Sequence, residues 1–509
     1  MVVASRTALD ISGIADGQHL TSRGLASLQL RVETSGIAAG DVTVELNDTP
    51  IAVTSEDGAL VAGAEALRPA IGEGTNTLTV ELDGRFVAGS RRVERTFTFA
   101  SSGPRLIVAD QIVAPPAGSV TVVRGLVDDA ETLAANGEPI EIEPGGAFTV
   151  EVPPDSTGLE LVAVDAAGHP TSATVQLTTE PTAANYPRTA AVHVTARGWA
   201  DPAIREQILS VARSGRINAV QLDIKDESGA IGYDSGVELA TAVGSAQGQY
   251  DARAALDELH ALGVRVIGRI VCFLDPALAS WAWDNERYEL TVLSRSGGAL
   301  ANEYGTAAFT NFANPEVRQY QIDLAVEAAN LGFDEILYDY VRRPEGDLDA
   351  MFLPGLSAAP DVAIAWFVAD TVQALEANDT MLGVSVFGIA ATRPQQIAQD
   401  IRLLAPLVDY VAPMVYPSHW GAGEYGIADP VRQPGDIVTA SVTDFHEIVA
   451  GSGAAVVPWL QDFSTGEVRY GAAEVGAQID ATLATGSPGF LLWNPDSTYT
   501  VDALPTGTG

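Results

Sequence analysis

The sequence contains very little cysteine or lysine and no long apolar segment. Its 509 residues include one cysteine, Cys272, so neither an intrachain disulfide nor a cysteine-based metal site is available. One lysine, Lys225, stands alone among arginines. No run of about 18 uninterrupted apolar residues occurs, which argues against a helix that spans a membrane.

Positive charge is scarce as well. There are 28 Lys and Arg residues against 66 Asp and Glu residues, and the formal net charge is −38. This charge would repel a phosphate backbone, so we do not expect nucleic acid as a partner. Hydrophobic residues make up 47% of the chain, enough for large cores, and the length predicts about three domains.

The first 182 residues alternate apolar and polar residues at period two between turns rich in Gly, Asn and Asp. This pattern predicts two β-sandwich domains, over residues 1–102 and 103–182. The stretches NGEPIEIEPGGAFTVEV and LELVAVDAAGHPTSATVQL resemble bacterial immunoglobulin-like modules attached to extracellular glycan-active enzymes. The start MVVASRTALDISG has no basic and apolar leader, so either the protein is intracellular or an export signal is absent from this sequence. The resemblance favours the second alternative, a secreted or cell-surface protein.

Strand-like and helical patterns alternate over the rest of the chain, residues 183–509. Eight strands are predicted, which begin near residues 190, 219, 265, 335, 381, 410, 455 and 489. Eight strand–helix units over roughly 320 residues predict a (β/α)8 TIM barrel. A doubly wound sheet is the alternative, but no Gly-rich phosphate-binding turn follows the first strand. We expect residues 187–509 to fold alone.

Side chains on barrel strands alternate between the lumen and the helix layer, and the helix-facing set should be apolar. The alternation predicts lumen positions for His193, Arg197, Asp223, Lys225, Arg269 and Asp339. Catalytic groups in such barrels lie at the carboxyl ends of the strands. These residues, with Asp226 just beyond strand two, are therefore candidates for a functional site.

Several motifs in this region point to one family. NAVQLDIKDESGAIGYDS, RVIGRIVCFLDPALA, EILYDYVRRPEG, YPSHW, PWLQDF and GFLLWNP resemble the bacterial "putative glycosyl hydrolase domain", over about residues 187–500. The resemblance implies a glycoside hydrolase on a TIM barrel that uses no cofactor. Two positions depart from the expected pattern: Leu274 stands in place of a lysine, and Ser385 in place of an acid.

Glycoside hydrolysis commonly uses two carboxyl groups. Asp339 is the first candidate for nucleophile or base, and Arg342 is expected to keep it ionised. The alternative is an Asp–Arg pair that only fixes the loop.

The second carboxyl has two candidates, Asp223 and, less favoured by strand parity, Asp462. Lys225 would orient an acid or bind a sugar hydroxyl, and Asp226 would contribute to binding or cap its loop. The alternative for this segment is a polar turn with an internal ion pair. Gln461 has lumen parity and is a candidate ligand for a hydroxyl.

Aromatic residues after the strands offer platforms on which sugar rings stack. Trp199, Trp420, Trp459 and Trp493 are the candidates, with core filling as the alternative for Trp459. Tyr416 and His419 end strand six, and His193 faces the lumen. No HxH or HExxH spacing occurs, so we expect no metal.

The sequence therefore predicts a glycoside hydrolase that cleaves an extracellular or cell-envelope polysaccharide. A non-catalytic glycan-binding or cell-envelope protein on the same scaffold is the alternative, favoured by Ser385. A metal-dependent esterase or deacetylase is a third and weaker hypothesis.

Overall fold

The computed structural model describes residues 10–21, 25, 28–33, 42–56, 59–72, 74–82, 91–100, 103–113, 120–153, 156–165, 169–178, 185–378, 380–466 and 468–506. The predicted ends of the two β-sandwich domains, residues 102 and 182, lie outside these ranges. Within them, no helix combines the length and apolar character that crossing a membrane requires.

The first 100 residues contribute two mostly antiparallel sheets. Their strands are β1 (Asp10–Ser12), β2 (Gln18–Thr21), β3 (Gln29–Glu33), β4 (Val42–Leu46), β5 (Thr49–Pro50), β6 (Thr54–Glu56), β7 (Ala59–Gly63), β8 (Gly74–Leu82) and β9 (Arg91–Ala100), with a short helix α1 (Ala64–Leu67) after β7. The sheet orders are β1-β3-β7-β6 and β2-β9-β8-β4-β5. Alternate residues of β4, Val42, Val44 and Leu46, are buried in a shared apolar cluster, which explains the period-two pattern.

Eight further strands follow, again mostly antiparallel. They are β10 (Arg105–Val108), β11 (Gln111–Val113), β12 (Thr121–Asp128), β13 (Thr132–Ala135), β14 (Glu138–Ile140), β15 (Ala147–Val152), β16 (Gly158–Val164) and β17 (Pro170–Thr178). Their sheet orders are β10-β12-β15 and β11-β17-β16-β13-β14. The predicted β-sandwich architecture of the N-terminal region agrees with these sheets.

By its internal contacts the chain divides into two compact units. Unit 1 comprises Met1–Leu106, Val127–Ile140 and Leu161–Ala173. Unit 2 comprises Ile107–Leu126, Glu141–Glu160 and Thr174–Gly509, so it includes parts of the second set of strands together with the barrel.

The barrel in unit 2 is a closed sheet of parallel strands. Its strands are β18 (Thr189–Val194), β19 (Ala219–Lys225), β20 (Arg265–Val271), β24 (Glu335–Asp339), β26 (Met381–Phe387), β27 (Tyr410–Met414), β28 (Ala455–Val456), β29 (Trp459–Gln461) and β30 (Gly489–Trp493). Pairing of β26 with β27 and of β30 with β18 closes it. The seventh barrel strand consists of two short strands, β28 and β29, which are separated at Pro458, a residue with no backbone N–H. The predicted TIM barrel is confirmed, and each predicted strand begins within one residue of an observed one.

Helices and short strands fill the connections. The helices are α2 (Ala196–Ala200), α3 (Pro202–Arg213), α4 (Glu238–Val243), α5 (Ala252–His260), α6 (Pro276–Asp284), α7 (Pro315–Leu331), α8 (Pro360–Leu375), α9 (Ile401–Leu404), α10 (Pro434–Val449) and α11 (Ala472–Ala484). The short strands are β21 (Leu293–Ser294), β22 (Ala301–Asn302), β23 (Gly305–Thr306) and β25 (Met351–Phe352). Asn314 caps the start of α7 by accepting from the backbone of Glu316, and Gly332 ends α7 at a φ of 109°.

Apolar side chains form two clusters on opposite faces of the barrel strands, as the alternation of side chains along a strand predicts. Val192 and Val220 belong to the large cluster between strands and helices, whereas Ala191, Ile267 and Leu337 belong to a smaller cluster in the lumen. Above this lumen cluster, towards the carboxyl ends of the strands, lie buried polar side chains. The alternation therefore delivers polar groups to the end of the barrel where a site is expected.

Candidate active site

A cavity of about 380 Å³ opens at the carboxyl ends of the barrel strands. Half of its lining residues are Trp, Tyr or Phe. The lining consists of Glu227, Arg269, Tyr304, Asp339, Tyr340, Phe387, Gly388, Ile389, Met414, Tyr416, His419, Trp420, Trp459 and Trp493. A cavity of this size with a few convergent charged groups has the character of a small-molecule site.

Arg269, on β20, is the centre of the charged groups. Its Nε and Nη2 donate to Oδ2 of Asp339 at 2.8 and 2.6 Å, and Nη2 also donates to Oε1 of Glu227 at 2.5 Å. Its Nη1 donates to Oδ1 of Asp223 at 3.1 Å. Burial alone would lower the pKa of Arg269, but these three carboxylates raise it well above its usual value. The guanidinium is therefore a fixed cation that joins three acids.

Asp339, at the end of β24, lies on the cavity wall, as its lumen parity predicts. Its Oδ1 accepts from the backbone N–H of Tyr340 at 2.7 Å, so both carboxylate oxygens are held. Tyr340 has a φ of 47°, a left-handed conformation that is costly for a bulky residue. This turn directs Tyr340 into the cavity beside the carboxylate.

Glu227 is a site residue that the alternation of strand positions did not identify. It lies two residues beyond the end of β19, in the loop, where strand parity no longer applies. Its side chain is 40% exposed and lines the cavity. Since Glu227 and Asp339 accept from the same Nη2, their closest oxygens lie within about 5 Å of each other. The acidic segment DIKDESG was the sequence feature that could have identified Glu227 as a site residue.

Asp223 and His193 lie beneath the cavity and are fully buried, outside its lining. Nε2 of His193 lies 3.1 Å from Oδ1 of Asp223, and the imidazole stacks on Trp493 at 4.1 Å between ring centroids. Burial would raise the pKa of Asp223, but the charges of His193 and Arg269 lower it below its usual value. An ionised, enclosed carboxylate is poorly suited to donate a proton, so this geometry counts against the predicted role of Asp223 as the acid.

The predicted lumen position of Lys225 is wrong. A bulge in the pairing of β19 with β20 leaves Lys225 opposite Ile270 and turns its side chain into the helix layer. Its Nζ donates to Asp275 and to Gln321 of α7, both at 2.8 Å. Lys225 is buried beside an acid, as expected, but the acid is Asp275 and not Asp223 or Asp226.

The other predicted polar ligands stabilise loops outside the cavity lining. Asp226 accepts from the N–H and hydroxyl of Ser228, so it caps its own loop. Asp462 accepts from the N–H and hydroxyl of Thr500, both at 2.7 Å, and burial raises its pKa. Gln461 is buried and accepts from the N–H of Ser418 at 3.0 Å. The structure does not bring these three side chains to the cavity.

The predictions for Arg197 and Trp199 fail because the first strand ends earlier than assumed. β18 ends at Val194, and helix α2 begins at Ala196 after the cap residue Thr195. In that helix Arg197 is exposed and Trp199 is buried in the apolar cluster between strands and helices. Neither lines the cavity.

The structure brings together the aromatic residues that were predicted as ligands at strands six to eight. Tyr416, His419, Trp420, Trp459 and Trp493 all line the cavity. Burial, and secondarily the charge of Asp339, raises the pKa of Tyr416 well above its usual value, so its phenol stays protonated. Partial burial lowers the pKa of His419, so its imidazole is neutral at pH 7.

Arg342 does not contact Asp339, contrary to the expectation. Its Nη2 lies 3.0 Å from Oε1 of Glu345 and 3.3 Å from the hydroxyl of Tyr304. The guanidinium lies over the rings of Phe387 and Tyr340, at 4.3 and 4.7 Å from their centroids. Arg269 is therefore the cation that holds Asp339, and Arg342 lies behind the aromatic wall. In the described part of the chain, no three His, Cys, Asp or Glu side chains are grouped to hold a metal ion.

Comparison with known proteins places the barrel in a family. Residues 191–499 match the family described as "Putative glycosyl hydrolase domain". No match was found among curated proteins.

Solved structures with similarity include a hypothetical protein from Ruminiclostridium thermocellum, 28% identical over 38% of this chain and 96% of that chain, with a TM-score of 0.35. The PgaB (BpsB) glycoside hydrolase domain from Bordetella bronchiseptica is 14% identical over 62% of this chain and 99% of that chain, with a TM-score of 0.44. An endo-1,4-beta-D-mannanase from Thermotoga petrophila is 14% identical over 60% of this chain and 88% of that chain, with a TM-score of 0.40.

Proposed function

The chain belongs to this glycosyl hydrolase domain family, and we propose that it hydrolyses glycosidic bonds of a polysaccharide with Asp339 and Glu227 as its two carboxyl groups. The observation that carries the proposal is that both carboxylates accept from Arg269 at the edge of one aromatic cavity. Asp339 was the predicted nucleophile or base. Glu227 takes the role first assigned to Asp223.

The two carboxyl groups differ in a way that suits different roles. Asp339 is nearly fully buried, and Arg269 and the N–H of Tyr340 donate to its two oxygens, so its carboxyl group is fixed in one orientation. Glu227 lies in a loop and is partly exposed, so water can reach its carboxyl group. We therefore assign Asp339 as the nucleophile and Glu227 as the acid that protonates the leaving oxygen and then activates water.

The spacing of the carboxyl groups favours retention of anomeric configuration. Carboxyl groups of retaining glycosidases lie about 5–5.5 Å apart, whereas inverting enzymes need about 6.5–9.5 Å to admit a water molecule. The closest oxygens of Glu227 and Asp339 lie within about 5 Å. In the proposed first step Asp339 bonds to the anomeric carbon while the bond to the leaving oxygen breaks and that oxygen takes the proton of Glu227. Water then displaces Asp339, giving its proton back to Glu227.

The aromatic lining supports a sugar as the substrate. The indoles of Trp420 and Trp493 and the phenol of Tyr416 line the same cavity as the two carboxylates. Sugar rings stack their apolar C–H faces on such surfaces, while carboxylates and phenols bind the hydroxyls. We propose a secreted or cell-surface location, which rests on the resemblance of the N-terminal strands to modules of extracellular enzymes.

Ser385 is the observation that favours a second function, glycan binding without cleavage. Its side chain is buried and accepts from Nε1 of Trp459 at 2.9 Å, beneath the cavity and outside its lining. An acid at this position would lie beside Asp339, because Tyr338 of β24 pairs with Val384 of β26. If the reaction needs that acid, the chain binds glycans and does not cleave them.

The release of new reducing ends from a panel of polysaccharides separates the two functions. Cleavage supports the hydrolase, and the anomer that forms first, observed by proton NMR, tests retention. Binding of a polysaccharide at the cavity with no reducing ends released contradicts the hydrolase and supports the binding protein. Cleavage that continues in the double variant Asp339→Asn/Glu227→Gln contradicts the assigned carboxyl pair.

A further inference from the structure

Arg342 is a buried cation that no step of the proposed reaction uses. It follows β24 by three residues and is fully buried, yet it contacts neither Asp339 nor the open cavity. Burying a guanidinium is costly unless its hydrogen bonds and charge are compensated. Glu345 compensates its charge, with Oε1 3.0 Å from Nη2, and Nη1 donates to the carbonyl of Arg343 at 2.9 Å. Aromatic rings supply the remaining contacts.

Four aromatic rings surround the guanidinium. Its central carbon lies 4.3 Å from the ring centroid of Phe387, 4.7 Å from that of Tyr340, 5.5 Å from that of Phe309 and 5.9 Å from that of Tyr304. Cations at such distances are attracted to the faces of aromatic rings, and the attraction strengthens where water is excluded. Three of the four rings, all but Phe309, line the cavity.

The three cavity-lining rings come from separate parts of the chain. Tyr340 follows β24 and Phe387 ends β26, whereas Tyr304 lies in the turn between the short strands β22 and β23. Nη2 of Arg342 donates to the hydroxyl of Tyr304 at 3.3 Å. Packing between Tyr304 and Tyr340, with centroids 5.8 Å apart and planes at 88°, completes the cluster. Arg342 is thus the common contact of one wall of the cavity.

Tyr340 gives this wall a connection to the carboxylates. Its backbone is in the left-handed region, and its N–H donates to Oδ1 of Asp339. A strained backbone of this kind persists only where surrounding contacts hold it. The ring of Tyr340 lies against the guanidinium of Arg342, which supplies such a contact.

We propose that Arg342 is a positioning residue that fixes Tyr304, Tyr340 and Phe387 as one preformed sugar-binding wall of the cavity. The expected consequence of this role is tighter binding of the glycan, and that consequence rests on the proposed function. A preformed wall spares the ordering of three side chains when substrate binds, so the main effect of Arg342 is on KM.

The test compares Arg342→Met and Arg342→Lys with the matched control Arg343→Met in the full chain. Arg343 is also buried, but its side chain donates to the carbonyls of Pro344, Gly346 and Gln395 and lies outside the cavity lining. We expect Arg342→Met to raise KM by about tenfold or more and to change kcat by less than about threefold. Arg342→Lys, which keeps the charge but loses the planar face, should be intermediate. Arg343→Met should leave KM unchanged.

Amide hydrogen exchange gives a readout that does not depend on catalysis. Arg342→Met should speed exchange in residues 301–306 and at Tyr340, whereas Arg343→Met should not. Faster exchange in Arg342→Met would support the positioning role even if the parent protein cleaves no polysaccharide. The absence of cleavage by the parent protein would contradict the proposed function. If the parent protein cleaves the polysaccharide, and both Arg342 variants keep its KM and its amide exchange rates, the positioning role is overturned. If Arg342→Met fails to fold, Arg342→Lys decides by the same two measurements.

Discussion

At the scale of single residues, the proposed chemistry depends on the carboxylate of Asp339. Asn at this position keeps the size of the side chain and an oxygen that accepts from the N–H of Tyr340. Arg269 keeps Asp223 and Glu227 as partners, so the fold should persist. We expect Asp339→Asn to lower turnover of a responsive polysaccharide by at least about a thousandfold, since an amide is a far weaker nucleophile. Turnover assays with melting curves measure both effects. Activity close to that of the parent would exclude Asp339 as the nucleophile.

Two carboxyl groups compete for the role of the acid, Glu227 in the cavity and Asp223 beneath it. If Glu227 is the acid, Glu227→Gln should reduce polysaccharide turnover strongly but spare an aryl glycoside with a good leaving group, which needs little protonation. Asp223→Asn should reduce both substrates alike, because Asp223 acts through Arg269. Kinetics on the two substrates distinguish the variants. The reverse pattern would return the acid to Asp223.

The lowered pKa of Asp223 also predicts how stability depends on pH. Its carboxylate binds protons more weakly in the folded than in the unfolded chain, since His193 and Arg269 outweigh the effect of burial. The stability that it contributes is therefore present above the unfolded pKa of about 3.9 and is lost as pH falls through the folded value. Asp223→Asn should melt below the parent at pH 6, and this difference should shrink below about pH 4. A difference in Tm that is constant from pH 6 to pH 3 would contradict this.

At the scale of secondary-structure elements, one bulge in β19 decides where Lys225 points. Lys225 and Asp275 form a buried ion pair at 2.8 Å, and Asp275 also caps α6 by accepting from the N–H of Leu278. Lys225→Met leaves the carboxylate of Asp275 buried and unpaired, so we expect a loss of about 3–5 kcal/mol in the free energy of unfolding. Lys225→Met/Asp275→Asn keeps a capping oxygen without the charge and should recover part of the loss. Denaturant unfolding measures both, and equal stability of all three proteins would show that the pair is not stabilising.

The same element shows how far the sequence predicts the structure. Strand-like apolar runs between helical patterns, with glycine after several helices, suffice for the eight strands, because parallel barrel strands are buried on both faces. Alternation within a strand then assigns each side chain to the lumen or to the helix layer. Alternation places Arg269 and Asp339 correctly. It fails at Lys225, where a bulge adds a residue, and at Trp199, where a helix begins sooner than assumed. Glu227 and Tyr304 lie in loops, whose conformations depend on tertiary contacts that no local pattern encodes.

At the scale of the whole molecule, unit 2 joins parts of the second set of β-strands to the barrel. Leu126 and Ala147 belong to the same buried apolar cluster as the barrel helices and strands. Nε1 of Trp366, on α8, donates to the carbonyl of Gly145 at 2.7 Å. Arg124 forms an ion pair with Asp400. Trp366 lies on α8 and Asp400 caps the start of α9, so these contacts involve two helices of the barrel.

The domain division predicted from the sequence can therefore be tested by comparing two fragments, residues 187–509 and 103–509. We expect the barrel fragment 187–509 to fold, because it has its own apolar core. We also expect it to melt at least about 5 °C below the longer fragment. Each kcal/mol of stability is worth about 2–4 °C in Tm for domains of roughly this size or somewhat smaller. Trp366→Phe in the longer fragment removes the hydrogen bond to Gly145 and part of the indole surface, and the hydrogen bond should account for a minor part of that difference, about 1 kcal/mol. Circular dichroism melting of the three proteins gives the comparison. Equal Tm values for the two fragments would mean that the β-strand segments of unit 2 add nothing to the stability of the barrel, and an insoluble 187–509 would mean that the barrel requires them to fold.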